Sequence, residues 1–382
     1  MTGSVGDLLR HDLVGRTAYG APQLDVPVPL NTNENSYAVP QQVVDAILSS
    51  VAEVVPGLNR YPDREFARLR EDLAAYLTAA SGAAVTARQV WAGNGSNEVL
   101  LHILQAFGGV GRVALGFTPT YSMHSIITQT VGTRWVDGLR GVGGRRGVDG
   151  AGGPFHLDVA SAVAQVKAHQ PNVVFLCSPN NPTGTALGLD VVEAVYDAAD
   201  QAIVVVDEAY AEFARAGTPS ALTLLAGRDR LVVTRTMSKA FALAGARVGY
   251  LAATPELTEC LRLVRLPYHL SATTQAVACA ALEHSEGLLA AVELVKGQRD
   301  RIASDLAEMG LDPVPSDANF VLFGGLSDEQ ATWQALLDQG ILVRDVGLAH
   351  YLRVTAGTPQ ETEAFLGAMR RLAPTHRQEQ SS

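Results

Sequence analysis

The sequence predicts an α/β protein: a large domain on a mostly parallel sheet flanked by helices, followed by a smaller α+β C-terminal domain. Three observations predict it. From about residue 90, short β-branched runs ("QVWAG", "RVALGF", "NVVFLCS", "AIVVVDE", "LVVTRT") each lead through a turn into an amphipathic stretch, an alternation that builds a parallel sheet covered by helices on both faces. Near residue 270 the pattern changes: 273–309 reads as one or two long helices, and "NFVLF", "ILVRD" and "YLRVT" read as strands around helices at 329–339 and 359–372. At 382 residues the chain is long enough for two domains, or for one large α/β domain with a smaller partner, and for a sizeable core.

Taken in order, a helix is expected to open at Pro40 and another at Asp63 in "DREFARLREDLAAYL", since proline suits a first turn and aspartate an N-cap. The strand–helix alternation follows. Residues 138–153, "GLRGVGGRRGVDGAGG", hold eight glycines in sixteen positions, too many for a helix or an interior strand, so a surface loop is expected there. Without a following Gly-Lys-Ser/Thr it is no phosphate loop. The expected division is an N-terminal arm (1–38) joining the small domain, a large cofactor-binding domain (39–270), a small domain (271–376) and a disordered tail (377–382).

Composition narrows the function. Apolar residues make up 47% and charged ones 18%, which is ordinary for a compact globular protein. A net charge of −10 argues against nucleic acid or an anionic membrane as partner, while leaving room for a local basic pocket. The three cysteines, Cys177, Cys260 and Cys279, are far apart in apolar surroundings and read as small buried hydrophobes of a reducing compartment. No signal-peptide core and no apolar run of 18 residues is found, so a cytoplasmic location is expected. The nine histidines show no metal-ligand spacing and read as ordinary surface or core residues, with His269 in "HLSAT" near the site; no metal is expected.

The chemistry is expected at the strand ends, because ligands of such sheets sit outside the carboxyl ends of the strands. In "AIVVVDEAY", Asp207 ends a strand too apolar to be exposed, with Tyr210 three residues on; a buried carboxylate needs a cation or several hydrogen bonds. "FLCSPNNPTG" delivers Asn181 after another apolar strand, and "WAGNGSNEVLLHIL" is strand, glycine turn and helix, whose free N–H groups at Gly95, Ser96 and Asn97 suit an anion. "TMSKAFALAGARVGY" sets Lys239 among small apolar residues, with Thr236, Ser238 and Arg247 nearby. Burial lowers a lysine's pKa and makes it a Schiff-base nucleophile. Together these are the groups that pyridoxal 5′-phosphate requires: Asp207 to keep the ring nitrogen protonated, Lys239 to bind covalently, Tyr210 and Asn181 on the phenolic oxygen, and Ser96, Asn97, Thr236, Ser238 and Arg247 on the phosphate.

With those residues in view, the sequence resembles the fold-type I pyridoxal-phosphate-dependent aminotransferases over nearly its whole length, and closely the histidinol-phosphate aminotransferase family. The resemblance rests on "YGAPQLDVPVPLNTNEN", "NRYPD", "GNGSNE", "PTYSMH", "SPNNPTG", "VVDEAYAEF", "TRTMSKAFALAGARVGY", "VRLPYHLSATTQA", "SDANFVLF", "GILVRD" and "YLRVTAGT". It implies that Tyr121 stacks on the cofactor ring, that Tyr61 reaches a cofactor phosphate across the interface of a homodimer with shared sites, that Arg353 grips the substrate's acidic group, and that Tyr19 and Arg344 recognise the substrate phosphate. The activity it implies interconverts L-histidinol phosphate plus 2-oxoglutarate with imidazole-acetol phosphate plus L-glutamate, in histidine biosynthesis.

Two features depart from the family pattern: "NENSYAVP" lacks the proline usual after NEN, and the glycine-rich 138–153 loop is long. The alternatives are an aromatic amino-acid aminotransferase or a pyridoxal-phosphate decarboxylase on the same cofactor site, from which Tyr19 and Arg344 discriminate. A cofactor-binding transcriptional regulator would need a DNA-binding domain, and the roughly thirty residues before the first motif show no basic helix-turn-helix pattern.

Overall fold

The computed structural model of the protein describes residues 5–141, 153 and 155–379. Its strands are β1 (Val28–Pro29), β2 (Val90–Gly93), β3 (Val113–Thr118), β4 (Arg134–Leu139), β5 (Val173–Cys177), β6 (Ile203–Asp207), β7 (Leu231–Thr236), β8 (Gly249–Ala252), β9 (Asp312–Pro313), β10 (Phe320–Gly324), β11 (Ile341–Leu342), β12 (Arg344–Asp345) and β13 (Leu352–Thr355). Its α-helices are α1 (Gln41–Val54), α2 (Ala67–Ser81), α3 (Ser96–Phe107), α4 (Ser122–Thr130), α5 (Val159–His169), α6 (Leu189–Ala198), α7 (Pro255–Leu261), α8 (Ala272–Glu283), α9 (Ser285–Glu308), α10 (Glu329–Leu337) and α11 (Pro359–Glu379).

Seven strands form the main sheet in the order β2-β8-β7-β6-β5-β3-β4, all parallel except β8, which runs antiparallel to both neighbours. Every residue of β2, β5, β7 and β8 is buried, as a sheet covered on both faces demands. This is the predicted class, and each of the five named runs is a strand. Two strands go beyond the expectation. β8 is only four residues long and opens with glycine, which hides it from propensity; β4 is an edge strand of mixed exposure that takes in Gly138 and Leu139, so the glycine-rich stretch begins as sheet. Residues 142–152 of that loop lie outside the described residues.

Residues 312–355 contribute an antiparallel sheet, β12-β13-β10-β9, and β1 pairs in parallel with β11, tying the N-terminal segment to this part of the chain. "ILVRD" is therefore two strands in two sheets, broken at Val343. Residues 273–309 resolve into α8 and α9, meeting at His284. The helix expected from Asp63 starts later, at Ala67, after Phe66 in a left-handed conformation (φ 41°); Asp63 still caps, its carboxylate accepting from the N–H groups of Glu65 (2.9 Å) and Ala67 (2.7 Å). α11 runs to Glu379, so residues 377–379 of the expected disordered tail are helical, and 380–382 lie outside the described residues. Among the described residues no helix is long and apolar enough to cross a membrane.

Strand alternation gives the sheet two chemically different faces at its carboxyl edge. Glu208 follows Asp207 and Arg235 precedes Thr236, and these neighbours face away from Asp207 and Thr236. Arg235 Nη2 lies 2.8 Å from Glu208 Oε2 and Nη1 lies 3.2 Å from Glu212 Oε1, with both partners' side chains under a tenth exposed. Ser220 Oγ donates to Glu208, the Ala221 N–H does so at 2.6 Å, and Tyr76 Oη donates to Glu212 at 3.1 Å. The buried cation thus ties the ends of β6 and β7 together. Removing it strands two buried carboxylates, so Arg235→Met is expected to cost about 3–5 kcal/mol of stability, read from the urea unfolding midpoint; a loss below about 1 kcal/mol, as for exposed pairs, would mean that the cluster is not effectively buried.

Candidate active site

At the carboxyl edge of the main sheet a cavity of about 320 Å³ opens over β5, β6 and β7, lined by Thr32, Glu34, Ser96, Asn97, Tyr121, Cys177, Asn181, Asp207, Ala209, Tyr210, Thr236, Ser238, Lys239, Ala244, Gly245 and Arg247. A second, of about 290 Å³, adjoins it and is lined among others by Tyr19, Asn31, Asn33, Arg344, Asp345 and Arg353. Thr32, Tyr121, Asn181, Tyr210 and Lys239 line both. The structure thus brings together every residue predicted for the site except two. Gly95 lies behind the cavity wall as the N-cap of α3. Tyr61 is 80% exposed, outside both cavities, with its ring stacked on Tyr268 at 4.4 Å.

The anion cradle follows from close packing. Gly249 opens β8 against the start of α3, where a Cβ would lie 2.0 Å from the Ser96 nitrogen; only glycine lets the strand approach so closely. A Cβ on Gly95 (φ 85°) would lie 2.5 Å from Arg247 Nη2, so the guanidinium sits directly over the glycine turn. Thr236 and Ser238 are joined through their hydroxyls at 2.9 Å on the opposite wall. N–H groups at a helix start, two hydroxyls and an arginine are the donor set of a phosphate site.

Asp207, 1% exposed, has the partners that its burial requires: His124 Nε2 at 2.9 Å and Thr234 Oγ1, which donates at 3.2 Å. His124 is fully buried on α4, stacked on Phe175 with centroids 4.7 Å apart and edge-on to Tyr121. His124 carries no metal-ligand or catalytic spacing of its own and reads in sequence as an ordinary histidine, although "PTYSMH" places it three residues after Tyr121. Its role appears only when α4 packs over Phe175 of β5 and brings the ring to Asp207 at the end of β6. His269, expected near the site, lines neither cavity but lies beside the cradle: its ring packs on Trp91 and hydrogen-bonds the Ala92 carbonyl at 2.9 Å, and its own carbonyl accepts from Asn94 Nδ2 at 2.8 Å, next to the glycine turn. Cys177, read as a core hydrophobe, is buried but stands on the cavity wall, its thiol pushed up to about 12 by burial and by Asp207.

Lys239 sits in the turn after β7, not on a helix, and its Nζ donates to the Thr32 carbonyl at 2.9 Å. Burial, the nearby Arg353 charge and Arg247 lower its pKa to about 8 against the opposing pull of Glu34. Arg353 is buried: Nη1 donates to Asn181 Oδ1 at 2.5 Å, Nη2 to the Asn31 carbonyl at 2.8 Å, and the guanidinium lies 5.0 Å from the Phe320 ring centroid. Burial, with the charge of Arg344, brings its pKa down to about 10. Nε has no hydrogen-bond partner among the described residues, so this arginine retains donor capacity beside the second cavity.

A lowered lysine pKa has a direct consequence. In cofactor-free protein, acetylation of Lys239 is expected to reach half its maximal rate near pH 8, since the reactive neutral amine appears as pH rises through its pKa. The chain has only two other lysines, Lys167 and Lys296, so mass spectrometry assigns the modified peptide directly. Replacing Arg353 by Gln removes a charge that disfavours the ammonium, and the midpoint should move upward; no movement would show that Arg353 does not act on the amine.

The family model for class I and II aminotransferases matches residues 26–369. A histidinol-phosphate aminotransferase of Paenarthrobacter aurescens is 60% identical over 366 residues, 95% of this chain and 94% of its own, and one of Thermobifida fusca is 54% identical over 96% of each. In fold, the chain is similar to the Sinorhizobium meliloti histidinol-phosphate aminotransferase solved in complex with pyridoxal-5′-phosphate (TM-score 0.77, 23% identity, 92% of each chain) and to a Thermus thermophilus aspartate aminotransferase solved with maleate (TM-score 0.75, 22% identity, 90% of this chain and 92% of that one). With the match spanning almost its entire length, the chain belongs to the class I and II aminotransferases, in their histidinol-phosphate aminotransferase branch.

Proposed function

We propose that the protein is a pyridoxal-phosphate-dependent histidinol-phosphate aminotransferase, which exchanges an amino group between L-histidinol phosphate and 2-oxoglutarate in histidine biosynthesis, in the cytoplasm. The observation that carries this reading is the pair of cavities meeting at Lys239. One has the phosphate cradle and a buried carboxylate, the other a cationic wall of Arg344 and Arg353. The residues fit the cofactor: glycine at 95 lets the Arg247 guanidinium lie against the start of α3, where Ser96, Asn97 and Arg247 line the cavity together, and Asp207 is a buried acceptor for a ring N–H.

Pyridoxal phosphate, when bound, supplies the electron sink that lets an amino group leave one carbon and join another. The chain's residues do the rest. Ser96, Asn97, Thr236, Ser238 and Arg247 would hold the phosphate, Asp207 backed by His124 would hold a proton at the ring nitrogen, Tyr121 would support the ring, and Asn181 and Tyr210 would hydrogen-bond its acidic oxygen. Lys239, with a pKa near 8, can hold a proton at Nζ and release it close to neutral pH, as a general acid–base must. Arg353 binds a carboxylate in one half-reaction and a phosphate in the other, with Arg344 and Tyr19 assisting on the phosphate.

Charge-assisted hydrogen bonds contribute about 1.5–3 kcal/mol each, so losing two with the phosphate corresponds to roughly 10²–10⁴ in kcat/KM. Histidinol phosphate should therefore be preferred by that margin over histidinol and phenylalanine with 2-oxoglutarate as acceptor. Arg344→Ala should weaken histidinol phosphate more than glutamate, which keeps Arg353. A preference for phenylalanine would move the assignment to the aromatic aminotransferases.

The same reading divides the chain into the arm 1–38, the large domain 39–270 and the small domain 271–376, and makes it a homodimer. Supporting the dimer, Tyr61 is exposed together with Leu58, Leu263, Leu266 and Tyr268, a patch of a kind that marks association surfaces. If Tyr61 serves the partner's cofactor phosphate, mixing inactive Tyr61→Ala and Lys239→Ala chains should restore activity, since one site of each hybrid is intact. Verified hybrids as inactive as the parents would refute the shared site.

A further inference from the structure

Asn33 is absent from the roles assigned above, yet it is 1% exposed and in a left-handed conformation (φ 56°) between Lys239 and the small sheet. Its side chain spans the two halves of the site: Nδ2 donates to Tyr210 Oη at 3.0 Å, and Oδ1 accepts from Thr355 Oγ1 at 3.1 Å. Thr355 Oγ1 in turn accepts the Asn33 backbone N–H at 3.1 Å, and Asn319 Nδ2 donates to the Asn33 carbonyl at 3.1 Å. Tyr210 Oη also accepts a longer bond, 3.4 Å, from Asn181 Nδ2.

The directions of these bonds follow from chemistry. A guanidinium only donates, so the Asn181 atom facing Arg353 is the oxygen, and its NH₂ is left for Tyr210. The buried Thr355 hydroxyl, already an acceptor from the Asn33 N–H, places its own proton on Asn33 Oδ1, which turns the Asn33 NH₂ toward Tyr210 as well. The tyrosine oxygen thus receives two N–H donors. Its single proton can go to neither, and Tyr210 lines both cavities.

We infer that Asn33 is a positioning residue that orients the Tyr210 hydroxyl, committing its proton to the cavity, where it donates to the acidic oxygen of the bound cofactor. The inference rests on the pyridoxal phosphate reading and adds to it the device that sets the polarity of the hydroxyl. Arg353 on β13, Cys177 on β5, Asp207 on β6 and Tyr121 at the start of α4 also act on Tyr210; Asn33 differs from them in determining the direction of its bond.

The test uses the visible absorbance of the cofactor-loaded protein and the pH midpoint at which it changes. A donor on the acidic oxygen favours its anionic form and keeps the midpoint low. Asn33→Asp replaces the NH₂ by an acceptor that draws the tyrosine proton away, and aspartate tolerates the left-handed backbone; the midpoint should rise by about one pH unit, the scale of one charge-assisted hydrogen bond. Asn33→Gly, which also suits this backbone, deletes the donor and should shift the midpoint less, in the same direction. In a Tyr210→Phe background the Asp substitution should add less than about 0.3 unit, since coupled residues are non-additive. No shift at residue 33, or an equal shift with and without the tyrosine hydroxyl, would overturn the inference. Failure of the unmutated chain to bind pyridoxal phosphate would instead overturn the functional reading on which it rests.

Discussion

A parallel sheet buried on both faces cannot accept polar side chains along its strands, and this constraint organises the molecule. β5 and β7 are buried from end to end, so polar and charged groups collect where the strands stop. At that edge backbone carbonyls and N–H groups leave the ladder and need partners of their own: the Asp207 carbonyl accepts from the Ser178 N–H at 2.9 Å, and the Thr236 hydroxyl accepts from the Ser238 N–H at 3.1 Å. The site is thus located where burial ends.

The edge is divided by the alternation of the strands. Asp207 and Thr236 face the cavity; Glu208 and Arg235, their immediate neighbours, form a buried ion cluster on the other side. Charge is satisfied separately on each face: by His124 and Thr234 in front, by Arg235, Ser220 and Tyr76 behind. Two adjacent carboxylates thereby sit in different electrostatic surroundings without sharing a partner. The rear cluster ties β6 to β7 and so helps hold the spacing between Asp207 and Lys239.

The segment 31–33 lines the second cavity, with Thr32 lining both, and its backbone carbonyls accept from side chains inside the protein. Asn31 receives Arg353, Thr32 receives Lys239 and Asn33 receives Asn319. One short stretch near the N-terminus, anchored through β1 to β11, therefore gathers the two cations whose mutual repulsion helps lower the lysine's pKa. Holding two positive side chains together costs energy in proportion to their burial, and the carbonyls offset part of that cost.

Periodicity and turn chemistry by themselves determined the fold class, the five main parallel strands, the change of pattern near 270 and the groups at the strand ends, because these depend on local preference and on which residues tolerate burial. The strand β8 and the late start of α2 were not legible: a four-residue strand opening on glycine and a left-handed Phe66 have no local signal of their own. His124 as the partner of Asp207 and Asn33 as a donor to Tyr210 lie 83 and 177 residues from those partners, and no spacing rule spans such distances. Only the tertiary structure decided them, since a buried polar atom takes its partner from whatever the packing of strands brings within three ångströms, and that packing is a property of the whole sheet.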